Sequence, residues 1–173
     1  MPNKANEIEF STEQWPGLPD PANPEYAMYT EQLLVGYRFY EEHAIAFTTG
    51  FPFGHGLSYT TFKYSQMTVD TTASPYTVTF DLANTGSVAG SEIVQLYLGF
   101  PDFAGEPPIQ LKGFKKVTLN SGEKTTVTLD VTPRDVSIWD AVKHAFVVVS
   151  GQFAVKVGSS SRDLRLTGNM MVK

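Results

Sequence analysis

A chain of 173 residues that is 42% hydrophobic and 13% aromatic can bury a core of its own, which excludes a disordered or fibrous class. A formal charge of −5 and a pI of about 5.1 supply no attraction for phosphate backbones or anionic lipid, so neither nucleic acid nor a membrane surface is an expected partner. Zero cysteines exclude disulfides and thiolate chemistry. No apolar run approaches the roughly 18 residues that span a bilayer. Met1 to Phe10 carries Asn, Lys and Glu where a signal peptide needs an apolar stretch.

Residues 1 to 30 hold Pro16, Pro19, Pro21 and Pro24 among Gly17, Asp20 and Asn23, a density that removes amide donors and favours extended or turn backbone. The stretch predicts a connector, and the PxxP spacing in Trp15-Pro16-Gly17-Leu18-Pro19 suits a strap laid over a neighbouring domain better than a proline-rich ligand. Leu33, Val35, Tyr37 and Phe39 alternate with Leu34, Gly36, Arg38 and Tyr40, which predicts a strand covered mostly on one side. In Phe51-Pro52-Phe53-Gly54-His55-Gly56-Leu57-Ser58-Tyr59-Thr60-Thr61-Phe62 two glycines flank one histidine, giving a junction whose backbone is free to turn before a strand begins.

From Tyr59 onward short alternating runs separated by turn signals predict a β-sandwich. Phe62 to Val69 is its first strand. Tyr76, Val78, Phe80 and Leu82 face inward opposite Thr77, Thr79 and Asp81, and the run stops at Asn84-Thr85-Gly86. Val94, Leu96, Leu98 and Phe100 repeat the period, with Ile93 and Tyr97 implying partial cover on the other face. Leu111 to Leu119 follows, then the turn Asn120-Ser121-Gly122-Glu123, then Val127, Leu129 and Val131. Ala145 to Val149, apolar on both faces, predicts a central strand, followed by Phe153, Val155 and Val157 and an edge strand over Leu164 to Val172. Seven or eight strands result, an all-β, fibronectin type III or immunoglobulin-like number.

Candidate chemistry is sparse. Glycoside hydrolysis needs two carboxyl groups across a cleft, and Glu41-Glu42, Asp130 and Asp163 read instead as acids in turns or on solvent faces. His43, His55 and His144 are too scattered for a metal motif, so no metal and no cofactor is expected. Gly54-x-Gly56 lacks a third glycine and precedes a strand, and no Gly-x-Ser-x-Gly occurs. Lys112, Lys115 and Lys116 suit a strand edge protected by charge. Asp135 and Asp140 fit turn-capping roles, and Trp139 suits a cap over the core. Phe100-Pro101-Asp102-Phe103, in a loop bearing Gly and Pro, offers two rings, Phe100 and Phe103, as a candidate platform for cell-wall polysaccharide or lignin; the competing expectation is that they fold back on the core.

Six phrases then coincide in order. They are Tyr29 to Tyr40 with its Gly36-Tyr37-Arg38, the junction Phe51 to Phe62, Asn84-Thr85-Gly86 through Glu92-Ile93-Val94-Gln95-Leu96-Tyr97, Leu111-Lys112-Gly113-Phe114-Lys115-Lys116-Val117, Arg134 to Asp140, and Val157-Gly158-Ser159-Ser160-Ser161-Arg162-Asp163. Together they resemble the C-terminal region of family 3 glycoside hydrolases, the β-glucosidases and β-xylosidases. That resemblance implies that residues 1 to 58 are the tail of a catalytic α/β domain plus connector, and residues 59 to 173 a fibronectin type III-like domain. It implies catalytic domains as partners and a secreted or periplasmic setting. In that family the nucleophile sits in an N-terminal barrel and the acid/base in the α/β domain; neither maps onto this sequence, so no catalytic residue is carried over. Without such partners, self-association through residues 1 to 58 is expected, because Trp15, Leu33, Tyr37 and Phe39 lack cover.

Overall fold

The computed structural model describes residues 19–20, 23–27, 31–46 and 50–173. Pro19–Asp20 (β1) and Asn23–Ala27 (β2) pair antiparallel; the rest of the proline-rich lead-in, Trp15 included, lies outside the described residues. Residues 33–40 do not form the predicted strand. A short helix, Tyr37–Glu42 (α1), occupies its second half, preceded by Gly36 at φ +62°. The alternation there is apolar on both sides and so equally compatible with a helical turn, and Gly36 breaks the extended run at little steric cost. Helical spacing turns Tyr40 inward, where it is buried.

The sandwich has seven strands in two antiparallel sheets. Phe62–Asp70 (β3), Tyr76–Asn84 (β4) and Lys124–Val131 (β7) form one sheet in the order β3-β4-β7. Gly90–Gly99 (β5), Gln110–Leu119 (β6), Gly151–Gly158 (β10) and Leu164–Val172 (β11) form the other, in the order β11-β10-β5-β6. Strand alternation sends one side chain in two to the interior. Phe62, Tyr64, Val78, Phe80, Leu82, Val127, Leu129 and Val131 from the first sheet meet Val94, Leu96, Leu98, Leu119, Phe153, Val155, Val157, Met170 and Val172 from the second. The four-residue turn Asn120–Glu123 joins β6 to β7, so this connection crosses from one sheet to the other.

On the outer face of β4 the predicted polar row is present but not bare. Thr79 Oγ1 lies 3.1 Å from Thr128 Oγ1 across the β4–β7 pair. Asp81 accepts from Thr126 Oγ1 at 3.0 Å and pairs with Lys124 Nζ at 2.6 Å, leaving the residue 8% exposed. The Lys124 hydrogen bond, seconded by Thr126, holds the Asp81 carboxyl below its ordinary range. One acid expected on a solvent face is therefore covered.

A third departure is the ribbon made by Ser137–Asp140 (β8) and Ala145–Val148 (β9), which pair only with each other. The sequence pattern predicts a central strand over Ala145 to Val149. An apolar run identifies a strand without identifying its partners, and of residues 145–149 Val149, just past the ribbon, is the one in the core cluster, with Ile138 of β8 packed against it. Trp139 likewise does not cap the core: it is 52% exposed and packs on Phe146, ring centroids 5.0 Å apart. The turn before the ribbon follows its residues. Asp135 accepts from Thr132 N (2.8 Å) and Thr132 Oγ1 (2.5 Å), and Asp140 caps the amides of Val142 and Lys143, both at 2.9 Å.

Phe80 sits at the centre of the interior with no exposed surface, stacked on Tyr64 at 5.8 Å. Phe80→Ala is expected to cost about 3–5 kcal/mol, through lost transfer energy plus the cavity left behind. Urea unfolding followed by fluorescence measures it; a loss below about 1 kcal/mol contradicts the central placement.

Candidate functional site

Chemistry-bearing side chains gather where the junction meets the four-stranded sheet. Because Val94, Leu96 and Leu98 point inward, Ile93, Gln95 and Tyr97 must point out. Ile93 is exposed, yet Tyr97 is fully buried and Gln95 is 4% exposed. The connector supplies the cover. Tyr37 sets its ring edge-on to Tyr97 (6.0 Å, 80°), and Phe53 stacks on the far face of that assembly at 4.9 Å from Tyr37.

Most polar groups under this cover are paired, as burial favours, the Ser161 hydroxyl being an exception. Tyr97 Oη donates to Gln95 Oε1 at 2.5 Å, while Gln95 Nε2 donates to the carbonyls of Ser159 (2.5 Å) and Gly54 (3.3 Å). Ser161 N donates to Phe53 O at 2.9 Å, and Leu111 N donates to Tyr37 Oη at 2.8 Å. Arg162 pairs with Glu41 (2.5 Å) and donates through Nη2 to the carbonyls of Tyr40 (3.2 Å) and Ile45 (3.0 Å), so it bonds both the side chain and the C-terminal end of α1. Burial, reinforced by Tyr37 and Glu41, pushes the Tyr97 phenol above its ordinary pKa. Gly54 has φ +82°, and a Cβ there would run into the Gln95 amide. The glycine expected to free the junction is thus also what lets it approach β5.

A second anchor lies at the end of β4. Asn84, 1% exposed, accepts from Thr60 Oγ1 (2.6 Å) and Gly86 N (3.1 Å) and donates to the carbonyls of Val88 (2.8 Å) and Leu119 (3.1 Å). All its hydrogen-bonding capacity is used. A Cβ on Gly86 would strike Thr60 Oγ1, which accounts for glycine in the Asn84-Thr85-Gly86 turn.

Between junction and sandwich runs a half-open groove of about 760 Å³. Residues 54–58 line it together with Phe62, Tyr64, Glu92, Asp163 and Arg165. All three Arg165 nitrogens are engaged: Nε and Nη2 go to Asp163 at 2.6–3.1 Å, Nη1 goes to Phe62 O at 2.8 Å, and the guanidinium lies 5.0 Å from the centre of the Tyr64 ring. That fork, with Ser159 Oγ at 2.6 Å, holds the Asp163 carboxyl below its ordinary value. Glu92 is half-buried and accepts from Ile93 N at 3.0 Å; burial raises its pKa. A polar groove at the seam was not anticipated from the strand pattern, which treats the space between sheets as filled. Only the Glu in Ser91-Glu92-Ile93, falling on an inward position of β5, signals it.

The remaining candidates stay apart. Phe100 packs on Phe153 (4.8 Å) with Lys112 Nζ 5.1 Å from its ring centre, whereas Phe103 is 77% exposed, so the two rings do not make one flat surface. Lys112, Lys115 and Lys116 lie on β6, an edge strand. His43 bonds Phe39 O at 2.9 Å and stacks on Phe39, His55 stacks on Phe51, and His144 occupies a turn at φ +48°. Asp130 and Glu42 are exposed. Among the described residues no group of three His, Asp or Glu could hold a metal ion, and no helix is long and apolar enough to cross a membrane.

Two antiparallel layers of three and four strands, so connected, define a fibronectin type III-like module, and the family profile described as fibronectin type III-like domain matches residues 92–161. The chain is 41% identical over 165 residues to probable β-glucosidase D of Aspergillus niger and 43% identical over 164 residues to probable β-glucosidase L of Emericella nidulans. These alignments take in 84% and 83% of this chain but 22% of each relative. Among solved structures, β-D-glucoside glucohydrolase from Trichoderma reesei superposes with a TM-score of 0.78 at 39% identity, over 84% of this chain and 23% of that one. β-Glucosidase 3B from Thermotoga neapolitana gives 0.78 at 36%, over 92% and 22%. The chain belongs to the C-terminal, fibronectin type III-like region of the family 3 glycoside hydrolases of β-glucosidase type. These 173 residues do not include the catalytic domains of that family.

Gln95→Ala removes the amide that ties Gly54 and Ser159 to Tyr97, so hydrogen exchange at residues 51–56 is expected to accelerate by about tenfold or more while β4 and β7 amides keep their protection. Equal protection in both proteins contradicts the anchor. The Asp163 carboxyl has a folded pKa below its unfolded one, so the unfolded state binds the extra proton and this stabilisation, complete above the unfolded value near 3.8, fades as pH falls below it. Asp163→Asn is expected to flatten the acid limb of a melting-temperature profile between about pH 4 and 2; an unchanged limb overturns the assignment.

Proposed function

We propose that this chain is the non-catalytic accessory module of a family 3 β-glucosidase, packing against its catalytic domains and stabilising them, with residues 1 to 58 leading out of the α/β domain and residues 59 to 173 forming the module. The observation that carries the reading is the asymmetric burial of the connector. Its Tyr37 and Tyr40 are held on or near the sandwich, while Leu33, Val35, Phe51, Phe53 and Leu57 remain exposed at 47%, 59%, 76%, 47% and 93%, and Tyr59 just beyond them at 102%. Apolar side chains concentrated on one segment mark a surface suited to a neighbouring domain. Interfaces within chains are of moderate area, so such packing supplies stability and positioning rather than chemistry.

Among the described residues, the most engaged acids fit no hydrolytic pair. Asp81 and Asp163 are committed to Lys124 and Arg165, and Glu92 lies beside an arginine already engaged by a carboxylate. Purified chain is expected to give no turnover of aryl β-glucosides or β-xylosides. Reproducible hydrolysis abolished by one carboxylate substitution would overturn the accessory reading.

A further inference from the structure

Of the three lysines on β6, Lys115 and Lys116 are exposed and Lys112 is half-buried. A bulge sets it apart. Gly113 pairs with Leu96 and Leu111 with Tyr97, which leaves Lys112 as the extra residue, and bulges of this kind re-aim a side chain. The Lys112 stem runs over Phe100, with Nζ 5.1 Å from the ring centre, and that ring packs on Phe153 of the core. Among the described residues no hydrogen bond or ion pair engages Nζ, yet the atom stays open to solvent at the strand edge.

The charges nearby do not restore what burial removes. Asp135 is taken up by Thr132 N and Oγ1, Glu106 accepts from Gln110 Nε2 at 2.6 Å, and Arg38 and Arg134 bring two more positive charges within electrostatic reach. An ammonium group that is desolvated, without an ion-pair partner and beside other cations gives up its proton more readily than a solvated one. Burial is the largest cause lowering the Lys112 pKa; Asp135 and Glu106 oppose it, and the two arginines add to it. A neutral amine in such surroundings is a nucleophile toward carbonyl carbon. Once Lys112 is neutral, two guanidinium groups face two carboxylates, a balance that favours no ionic partner and offers donors and acceptors to hydroxyls.

We propose that Lys112 is a covalent modification site for a neutral hydroxyaldehyde, the open-chain form of a reducing sugar. Nζ adds through its lone pair to the aldehyde carbon, and the carbonyl oxygen takes up a proton to give a carbinolamine. The oxygen then leaves with both former nitrogen protons as one water, and a C=N imine remains, so no oxidant or reductant is consumed. The site lies within the 173 residues and does not draw on the accessory reading, so either can fail alone.

The test incubates the intact chain with glyceraldehyde and sodium cyanoborohydride, which reduces the imine to a stable secondary amine, and quantifies each modified lysine by peptide mass mapping. At pH 7 Lys112 is expected to react about fivefold or more faster than Lys115 and Lys116, the ratio falling below about two near pH 10.5, where an ordinary lysine is half neutral. In the urea-unfolded chain the three are expected to react alike. The anionic aldehyde glyoxylate is expected to give a smaller ratio than glyceraldehyde. Arg38→Gln is expected to slow Lys112 about twofold and Glu106→Gln, which keeps an acceptor for Gln110, to speed it about twofold, with circular dichroism checking that both variants fold. A ratio near one at pH 7 overturns the proposal, as does a ratio that ignores pH, a preference that survives unfolding, or a larger ratio with glyoxylate. Substitutions that leave the ratio unmoved, or move it in the same direction, overturn it too.

Discussion

The hydrogen bond from Tyr97 to Gln95, and from Gln95 onward to Gly54 and Ser159, decides how the connector meets the sandwich. An outward-facing Gln and Tyr on a central strand would ordinarily be solvated. Here both are buried, and each buried polar atom would carry a penalty of about 1–3 kcal/mol if left alone. Covering them with Tyr37 and Phe53 is favourable only because the same side chains pair with each other and with the backbone of the covering segment. Desolvation and hydrogen bonding are therefore coupled at this face. Neither the junction backbone nor the exterior of β5 has a satisfied structure without the other.

Much of the architecture was legible in the sequence, and the reason is the pleat. Wherever one face of a strand meets the core, period two is enforced, as at Val78, Phe80 and Leu82 or Phe153, Val155 and Val157, and these residues are buried as read. The turn at Asn120–Glu123 and the edge position of Leu164–Val172 were equally readable. Where the pattern was apolar on both sides it misled. Leu33 to Tyr40 satisfied a strand and a helical turn alike, and Gly36 settled the matter through its φ of +62°. Ala145–Val148 became a solvent-facing ribbon because hydrophobicity names no partner.

The candidate site was less legible, since it depends on tertiary cover. Nothing local distinguishes Gln95 from any polar residue on a strand; its burial comes from residues about 40 positions earlier and 64 later. Tyr64 reads as one more inward aromatic, and nothing local signals that its buried hydroxyl is left without a partner. The ordered family phrases did point to this region, as Gly54, Gln95, Ser159 and Arg162 all fall inside them.

Asn84 makes a different point about how force would travel through the module. Its side chain touches the segment leading into β3 at Thr60, the loop at Val88 and the far sheet at Leu119, and it ends the strand that runs through the middle of the smaller sheet. Tension that passes the Tyr37, Phe53 and Gly54 anchors and enters at Thr60 therefore reaches both layers at one amide. Load entering there is shared across the sheets, so the layers are pulled together as a unit instead of being peeled strand by strand.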